Sequence, residues 1–118
     1  MKVIAMSFNK TACDIHLSAD GGGTHLVAIC NNDEGSGITA DLILDQYLGN
    51  KDGHFEWGGT NFSKNARNIT MSAEWPERKP ILRSELLDSS GHYVQDEIDL
   101  AAHIANVEGE LMYHQPED

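Results

Sequence analysis

Asn106-Val107-Glu108-Gly109-Glu110-Leu111-Met112-Tyr113 repeats, 56 positions on, the pattern of Asn50-Lys51-Asp52-Gly53-His54-Phe55-Glu56-Trp57. Each segment opens on Asn, carries an acid two residues later, follows it with Gly, and then sets a large apolar residue at alternate positions. That is the pattern of a tight turn, Gly supplying positive φ, running into a strand with one apolar face. Moving outward, the same shift pairs Leu82 with Leu26, Leu86 with Cys30, Gly91 with Gly35 and Leu100 with Leu44. Further upstream the shift is 54, and Phe62, Lys64, Ala66, Ile69 and Met71 fall on Phe8, Lys10, Ala12, Ile15 and Leu17. A two-residue difference in one loop reconciles the shifts. Chance aligns a few leucines, but not this order of Phe, Gly, Asn-x-acid-Gly and aromatic. The chain is a tandem duplication.

Each copy is predicted to consist of short strands and turns. Leu26, Ala28 and Cys30 alternate with Val27 and Ile29, and Leu82, Ser84 and Leu86 alternate with Arg83 and Glu85. A period of two turns one face of a strand inward. Ile98-Asp99-Leu100 continues the alternation, and Leu100 with Ile104 fits a single helical turn. Strands recur about every ten residues between turn signals, which predicts an all-β chain. A repeat of about 55 residues is marginal as an independent folding unit, so the two copies are expected to share a core. Gly58-Gly59 lies where the first copy ends and is the expected hinge. A monomer is expected, and a domain-swapped dimer would open at that hinge. Glu74-Trp75-Pro76-Glu77-Arg78-Lys79-Pro80 reads as a charged, proline-bracketed loop, with Trp75 either anchored on the core or exposed as a contact.

Composition excludes several partners. Eight Lys and Arg against 19 Asp and Glu give 118 residues a formal net charge of −11. So acidic a surface repels phosphate, so neither nucleic acid nor insertion into an anionic membrane is expected. No apolar run approaches the ~18 residues of a membrane span. Met1-Lys2-Val3-Ile4-Ala5-Met6-Ser7 is too short for a secretory apolar region, so the expected location is cytoplasmic, with non-conventional export open. A hydrophobic content of 40% suffices for a core. Cys13 and Cys30 are the two cysteines and lie in no CxxC pattern.

The stretch Ile98-Asp99-Leu100 with His103-Ile104-Ala105-Asn106-Val107-Glu108-Gly109, and its earlier copy ending Gly53-His54-Phe55-Glu56-Trp57, resembles the cyanovirin-N homology family. The likeness runs from about Phe8 to Tyr113, and the Trp57-Gly58-Gly59-x-Asn61-Phe62 junction looks most like fungal members. These are small mannose-binding lectins. The resemblance implies an all-β fold of two pseudo-symmetric halves, each a three-stranded sheet plus a β-hairpin, with short helical turns. One half would join residues 1–46 to 103–118 and the other would hold 47–102. The family prototype has one disulfide per repeat. Here Ala12, Ala66 and Leu86 occupy three of the four positions, and Cys13 sits one residue past the partner position of Cys30. A one-residue step turns a strand side chain to the opposite face, so no disulfide is expected.

The resemblance also implies two carbohydrate pockets at opposite ends of the molecule. By position, pocket A would use Ser7, Lys10, Thr11, Asn31, Asp33, Asn106 and Glu108. Pocket B would use Asn50, Asp52, Thr60, Asn61, Lys64, Asn65, Asp88 and Ser89. Amides, carboxylates and hydroxyls suit a sugar, whose vicinal hydroxyls both donate and accept. Gly49, Lys64 and Ser89 stand where the prototype has an acid, an acid and an arginine, which weakens the case for pocket B. Beside this stands a turn role alone for Asn50, Asn106, Asp52 and Glu108, a hairpin loop at Asp88-Ser89-Ser90-Gly91, and surface charge for Lys10 and Lys64.

Other chemistry finds no support. An EF-hand centred on Gly53 would need Leu48 and Gly59 as ligands. The six histidines show no zinc spacing, and His54 and His92 are expected in exposed loops. Nucleophile-elbow, Walker and dinucleotide motifs are absent from the sequence. No cofactor, metal or catalysis is expected. Sequons occur at Asn9, Asn61 and Asn68, and a glycan on Asn61 would block pocket B. The function expected is binding of mannose-containing, α1→2-linked or high-mannose glycans, free or on glycoproteins, through one or two shallow polar pockets. The alternative is a protein-interaction module that keeps the lectin fold.

Overall fold

In a computed structural model, which describes residues 8–20, 23–32, 34–73 and 78–114, the chain is all-β. β1 (Ala12–Asp20), β2 (Gly23–Asn31) and β3 (Gly37–Ile43) form one antiparallel sheet in that order. β4 (Leu48–Lys51) and β5 (His54–Trp57) make a hairpin, β6 (Ala66–Ser72), β7 (Ile81–Leu87) and β8 (Tyr93–Asp99) a second three-stranded sheet, and β9 (Ile104–Val107) and β10 (Glu110–Tyr113) a second hairpin. The helical segments among the described residues are four 3-10 turns: Phe8–Lys10, Leu44–Gln46, Phe62–Asn65 and Leu100–Ala102. Ser7, Asp33 and Trp75 lie outside the described residues.

The alternation in the central strands sets the core. Leu26, Ala28 and Cys30 of β2 are buried, and so are Leu82, Ser84 and Leu86 of β7. All but Ser84 join Phe8, Leu44, Leu48, Phe62, Leu100 and Ile104 in one apolar cluster that draws on both repeats. Ser84 is tolerated there because its hydroxyl donates to the Arg67 carbonyl at 2.9 Å. Neither copy encloses a core of its own, as expected for units this short.

The duplication is visible in the backbone itself. β1 breaks register between Cys13 and His16, and β6 between Arg67 and Thr70. Asp14 and Asn68, 54 positions apart, hold φ of 52° and 54° at these bulges. Asp52-Gly53 and Glu108-Gly109 close the two hairpins, every central residue at positive φ as a type I′ turn requires. Three local expectations need correction. Ile98-Asp99-Leu100 is not one strand, because Asp99 ends β8 and its carboxylate accepts the Ala101 amide at 2.9 Å, starting the 3-10 turn. Ile104 then opens β9 instead of completing a helical turn. His54 is exposed but is the first residue of β5, not part of a loop.

The two hairpins meet through an aromatic stack. Trp57 lies 5.5 Å from Tyr113, ring to ring, and 5.2 Å edge-on from His103, while Tyr47 lies 4.8 Å from Tyr113. Just beyond Trp57 the chain passes close beside β4. A Cβ on Gly59 would fall 2.8 Å from the Gly49 Cα, so the hinge needs glycine on both sides of this approach. Asn61 then bridges Gly49.

Candidate sugar-binding site

Each hairpin turn is pinned to a sheet by its leading asparagine. Asn50 Nδ2 donates to the Leu87 carbonyl at 2.9 Å, and its Oδ1 accepts the Gly53 amide at 2.9 Å. Asn106 repeats both contacts, to the Asn31 carbonyl and from the Gly109 amide, each at 2.9 Å. Asn31 and Leu87 are themselves 56 positions apart. The turn role weighed for these asparagines is therefore real, and it places the acid of each turn over the end of a sheet. Asp52 and Glu108 are exposed there at φ of 51° and 54°, a conformation that non-glycine residues hold at some cost.

Around Asn106 the structure gathers Thr11 and Asn31. Asn106 Nδ2 also donates to Thr11 Oγ1 at 2.9 Å, and the Asn31 amide donates to the Thr11 carbonyl at 3.0 Å. Lys10, Thr11, Asn31 and Glu108 are exposed beside one another in sequence or space. Five of the seven residues expected in pocket A are thus described, and Thr11, Asn31 and Asn106 form one connected network.

Around Asn50 the gathering is different. Asp52 Oδ1 accepts both the amide and the hydroxyl of Ser89, each at 2.8 Å. These two bonds, the backbone one first, hold the Asp52 carboxyl below the usual carboxylate range. Asp88 Oδ1 accepts the amides of Ser90 and His92 at 2.9 Å. Thr60 and Asn61 lie alongside β4, Asn61 in the left-handed region at φ 61° with its amide on the Asp45 carbonyl at 2.7 Å. Lys64 and Asn65 sit exposed on the 3-10 turn Phe62–Asn65, with no hydrogen bond or ion pair to Asp52, Asp88 or Ser89 among the described residues. Of the residues expected in pocket B, Asn50, Asp52, Asp88 and Ser89 therefore form one polar cluster, with Thr60 and Asn61 beside the strand that carries Asn50.

Two residues of this architecture were not singled out in the sequence. Asn32 Oδ1 accepts the amides of Glu34 and Ser36, both at 3.0 Å, as Asp88 does in its own turn. The 56-residue shift places Asn32 on Asp88, and that was the available signal. Asp45 is 6% exposed and organises the hinge, and no repeat partner marks it, since Ala101 stands at the equivalent position. No group of three or more His, Cys, Asp or Glu among the described residues is arranged to hold a metal ion.

A duplicated all-β fold with a polar cluster at each of two hairpin turns is the architecture of a small lectin. The chain belongs to the cyanovirin-N homology family: the CVNH domain model matches residues 8–112. Members of this family are lectins, which bind carbohydrate without catalysis. A cyanovirin-N homolog of Neurospora crassa is 38% identical over 107 residues, covering 90% of this chain and 96% of that protein. One of Tuber borchii is 37% identical over 92 residues, covering 78% and 85%. Among solved structures, a designed cyanovirin-N homolog lectin superposes with a TM-score of 0.83 at 37% identity, covering 92% of this chain and all of that one. Two more distant structures share the fold at 24% identity: microvirin with mannobiose, TM-score 0.78, and a MoCVNH3 variant with (N-GlcNAc)4, TM-score 0.77. They cover 92% and 96% of this chain and 99% and 100% of their own.

Proposed function

We propose that this protein binds mannose-containing glycans of the α1→2-linked, high-mannose type at the polar clusters of its two hairpin turns. The half carrying pocket A is residues 1–46 with 103–118, and the half carrying pocket B is 47–102. The observation that carries the proposal is the matched pair of asparagine clamps. Asn106 and Asn50 fix Glu108 and Asp52 over a sheet end, each with further polar groups at the rim. Such a rim offers fixed donors and acceptors to adjacent hydroxyls while leaving the sugar's other face in water. Microvirin, which shares the fold, has been solved with mannobiose, and this supports the choice of sugar.

Each pocket binds weakly by itself, because a sugar hydroxyl trades water bonds for protein bonds at a net gain of only about 1 kcal/mol apiece. Tight binding to a branched glycan needs both pockets, or two molecules, acting through effective concentration. The test is an NMR titration of 15N-labelled protein with Manα1-2Man. Amide shifts are expected around Thr11, Asn31 and Gly109 for pocket A, and around Asn50, Gly53 and Ser89 for pocket B. No shift anywhere at millimolar sugar would overturn the proposal.

A further inference from the structure

Asn32 and Asp88 occupy the same place in the two repeats, and their side chains do the same local work. Asn32 Oδ1 caps the amides of Glu34 and Ser36, and Asp88 Oδ1 those of Ser90 and His92. The backbone closes both turns identically, the Asn32 amide donating to the Ser36 carbonyl at 3.0 Å and the Asp88 amide to the His92 carbonyl at 2.8 Å. Both side chains also lie against the hairpin turn that carries the acid of the pocket. A Cβ on Gly109 would stand 3.5 Å from Asn32 Cβ, and one on Gly53 would stand 3.4 Å from Asp88 Cβ.

The remaining side-chain atom differs in sign. Two amide donors face Asn32, so its oxygen must point at them; the reversed amide would set donor against donor. That leaves Nδ2, with its two hydrogens, as the outer atom. At Asp88 the outer atom is Oδ2, a second acceptor carrying charge. Neither outer atom has a hydrogen-bond partner among the described residues. The two pockets thus share a backbone and present opposite hydrogen-bonding polarity at one matched point.

We propose that Asn32 and Asp88 are the specificity-determining pair of the two pockets, a role that rests on the sugar-binding function proposed above. Pocket B requires a ligand hydroxyl that donates its hydrogen to Asp88 Oδ2. Pocket A requires a ligand oxygen that accepts from Asn32 Nδ2. An unmodified hydroxyl satisfies both, so the pockets differ only toward ligands that have lost one of the two capacities.

Mono-O-methyl ethers of Manα1-2Man supply the probe, since each keeps an acceptor oxygen and loses one donor hydrogen. Titrations followed at the Gly53 and Gly91 amides report pocket B, and those at Gly35 and Gly109 report pocket A. One ether of the panel is expected to weaken pocket B about tenfold, the worth of a charge-assisted bond, and pocket A less than about threefold. The substitutions D88N and N32D keep the oxygen that caps each turn, so either variant retains its loop. D88N should recover most of the loss in pocket B, and N32D should create the same loss in pocket A. A methyl that merely clashed would hurt pocket B and its D88N variant alike, and that result, or a panel in which no ether separates the pockets, overturns the pair. Absence of any shift with unmodified Manα1-2Man overturns the sugar-binding function instead. If one pocket alone binds, its own substitution still has to reverse the dependence, and one variant suffices if the other does not fold.

Discussion

Asp45 and Ser63 face each other across the junction of the two repeats: Asp45 Oδ2 accepts both the amide of Ser63, at 3.2 Å, and its hydroxyl. The other carboxylate oxygen accepts the Thr24 amide of β2 at 2.9 Å, and the Asp45 carbonyl accepts the Asn61 amide at 2.7 Å. One buried acid therefore joins the first sheet, the hinge segment and the 3-10 turn that follows it. Gly58-Gly59 alone would leave the hinge slack. Asp45 is what fixes its course.

Asp45→Ala should be among the most damaging single changes outside the apolar core. It leaves the Thr24 amide and both Ser63 donors without an acceptor where water enters poorly. We expect a loss of about 3 kcal/mol in urea unfolding. The same change should raise the fraction of dimer in size-exclusion chromatography, because the swapped form no longer forgoes this contact. A loss below about 1 kcal/mol would show that the carboxylate is not the clamp.

Asn50→Ala and Asn106→Ala should each cost about 2 kcal/mol, since each removes bonds to a sheet carbonyl and to a turn glycine. The two asparagines lie in separate hairpins, so the double variant should lose the sum. Asn→Asp at either position keeps the acceptor for Gly53 or Gly109 but turns a carboxylate oxygen toward a carbonyl, and should be no milder. Sugar binding should be lost only in the pocket whose asparagine is changed, as seen in the amide shifts of the other. Loss of both together would mean that the hairpins are not independent.

Much of this arrangement was legible in the sequence, for a physical reason. A duplication prints each structural requirement twice, so the shift of 56 marked Asn50, Asp52, Gly53 and their partners at once. β2 and β7 could be read from alternation because one face of each meets the shared core. β1 and β6 could not, because their bulges at Asp14 and Asn68 break the period of two. Asp45 was illegible for the opposite reason. It serves the one junction that the molecule has only once, so no second copy points to it. Asn32 was legible in principle through Asp88, but its chemistry as an amide at an acid's position takes on meaning only when both turns are seen capped alike.

Asp52 should stay ionised to lower pH than an ordinary aspartate. The Ser89 amide and then the Ser89 hydroxyl hold its pKa down. A depressed folded-state pKa stabilises the fold above the unfolded carboxylate value, and that contribution is lost as pH falls through the folded value. Glu85, held low first by the Asn68 side chain, whose Nδ2 donates to it, and then by Arg67, behaves in the same sense. In 13C-detected titrations the Asp52 carboxyl midpoint should lie below the usual range and rise in Ser89→Ala. It should not reach the free value, because the backbone bond survives the substitution. An Asp52 midpoint unchanged by Ser89→Ala would remove the hydroxyl from the account.

The two cysteines should behave as chemically distinct thiols. Ala12 stands opposite Cys30 in the β1–β2 pair, and Cys13 stands opposite Ile29, so the one-residue step places the two side chains on different faces. Both are free, Cys13 exposed and Cys30 buried. Burial pushes the Cys30 thiol up, and the neighbouring Cys13 adds a smaller push in the same direction. Thiolate is the reactive form, so burial and the raised pKa both disfavour reaction at Cys30. With a disulfide reagent at neutral pH, one equivalent should react quickly and the second about a hundredfold more slowly, only as the sheet opens. Cys13→Ser should abolish the fast phase and lower the Cys30 midpoint part of the way toward its ordinary value, because the burial cause remains. Air oxidation should give a Cys13-linked dimer between molecules, not a loop within one. Peptide mapping that found Cys13 joined to Cys30 in folded monomer would require β1 to slip by one residue against β2. That slip would turn Ala12 out of the core and expose the site of Thr11 to a new register, so pocket A and the free thiols stand or fall on the same strand pairing.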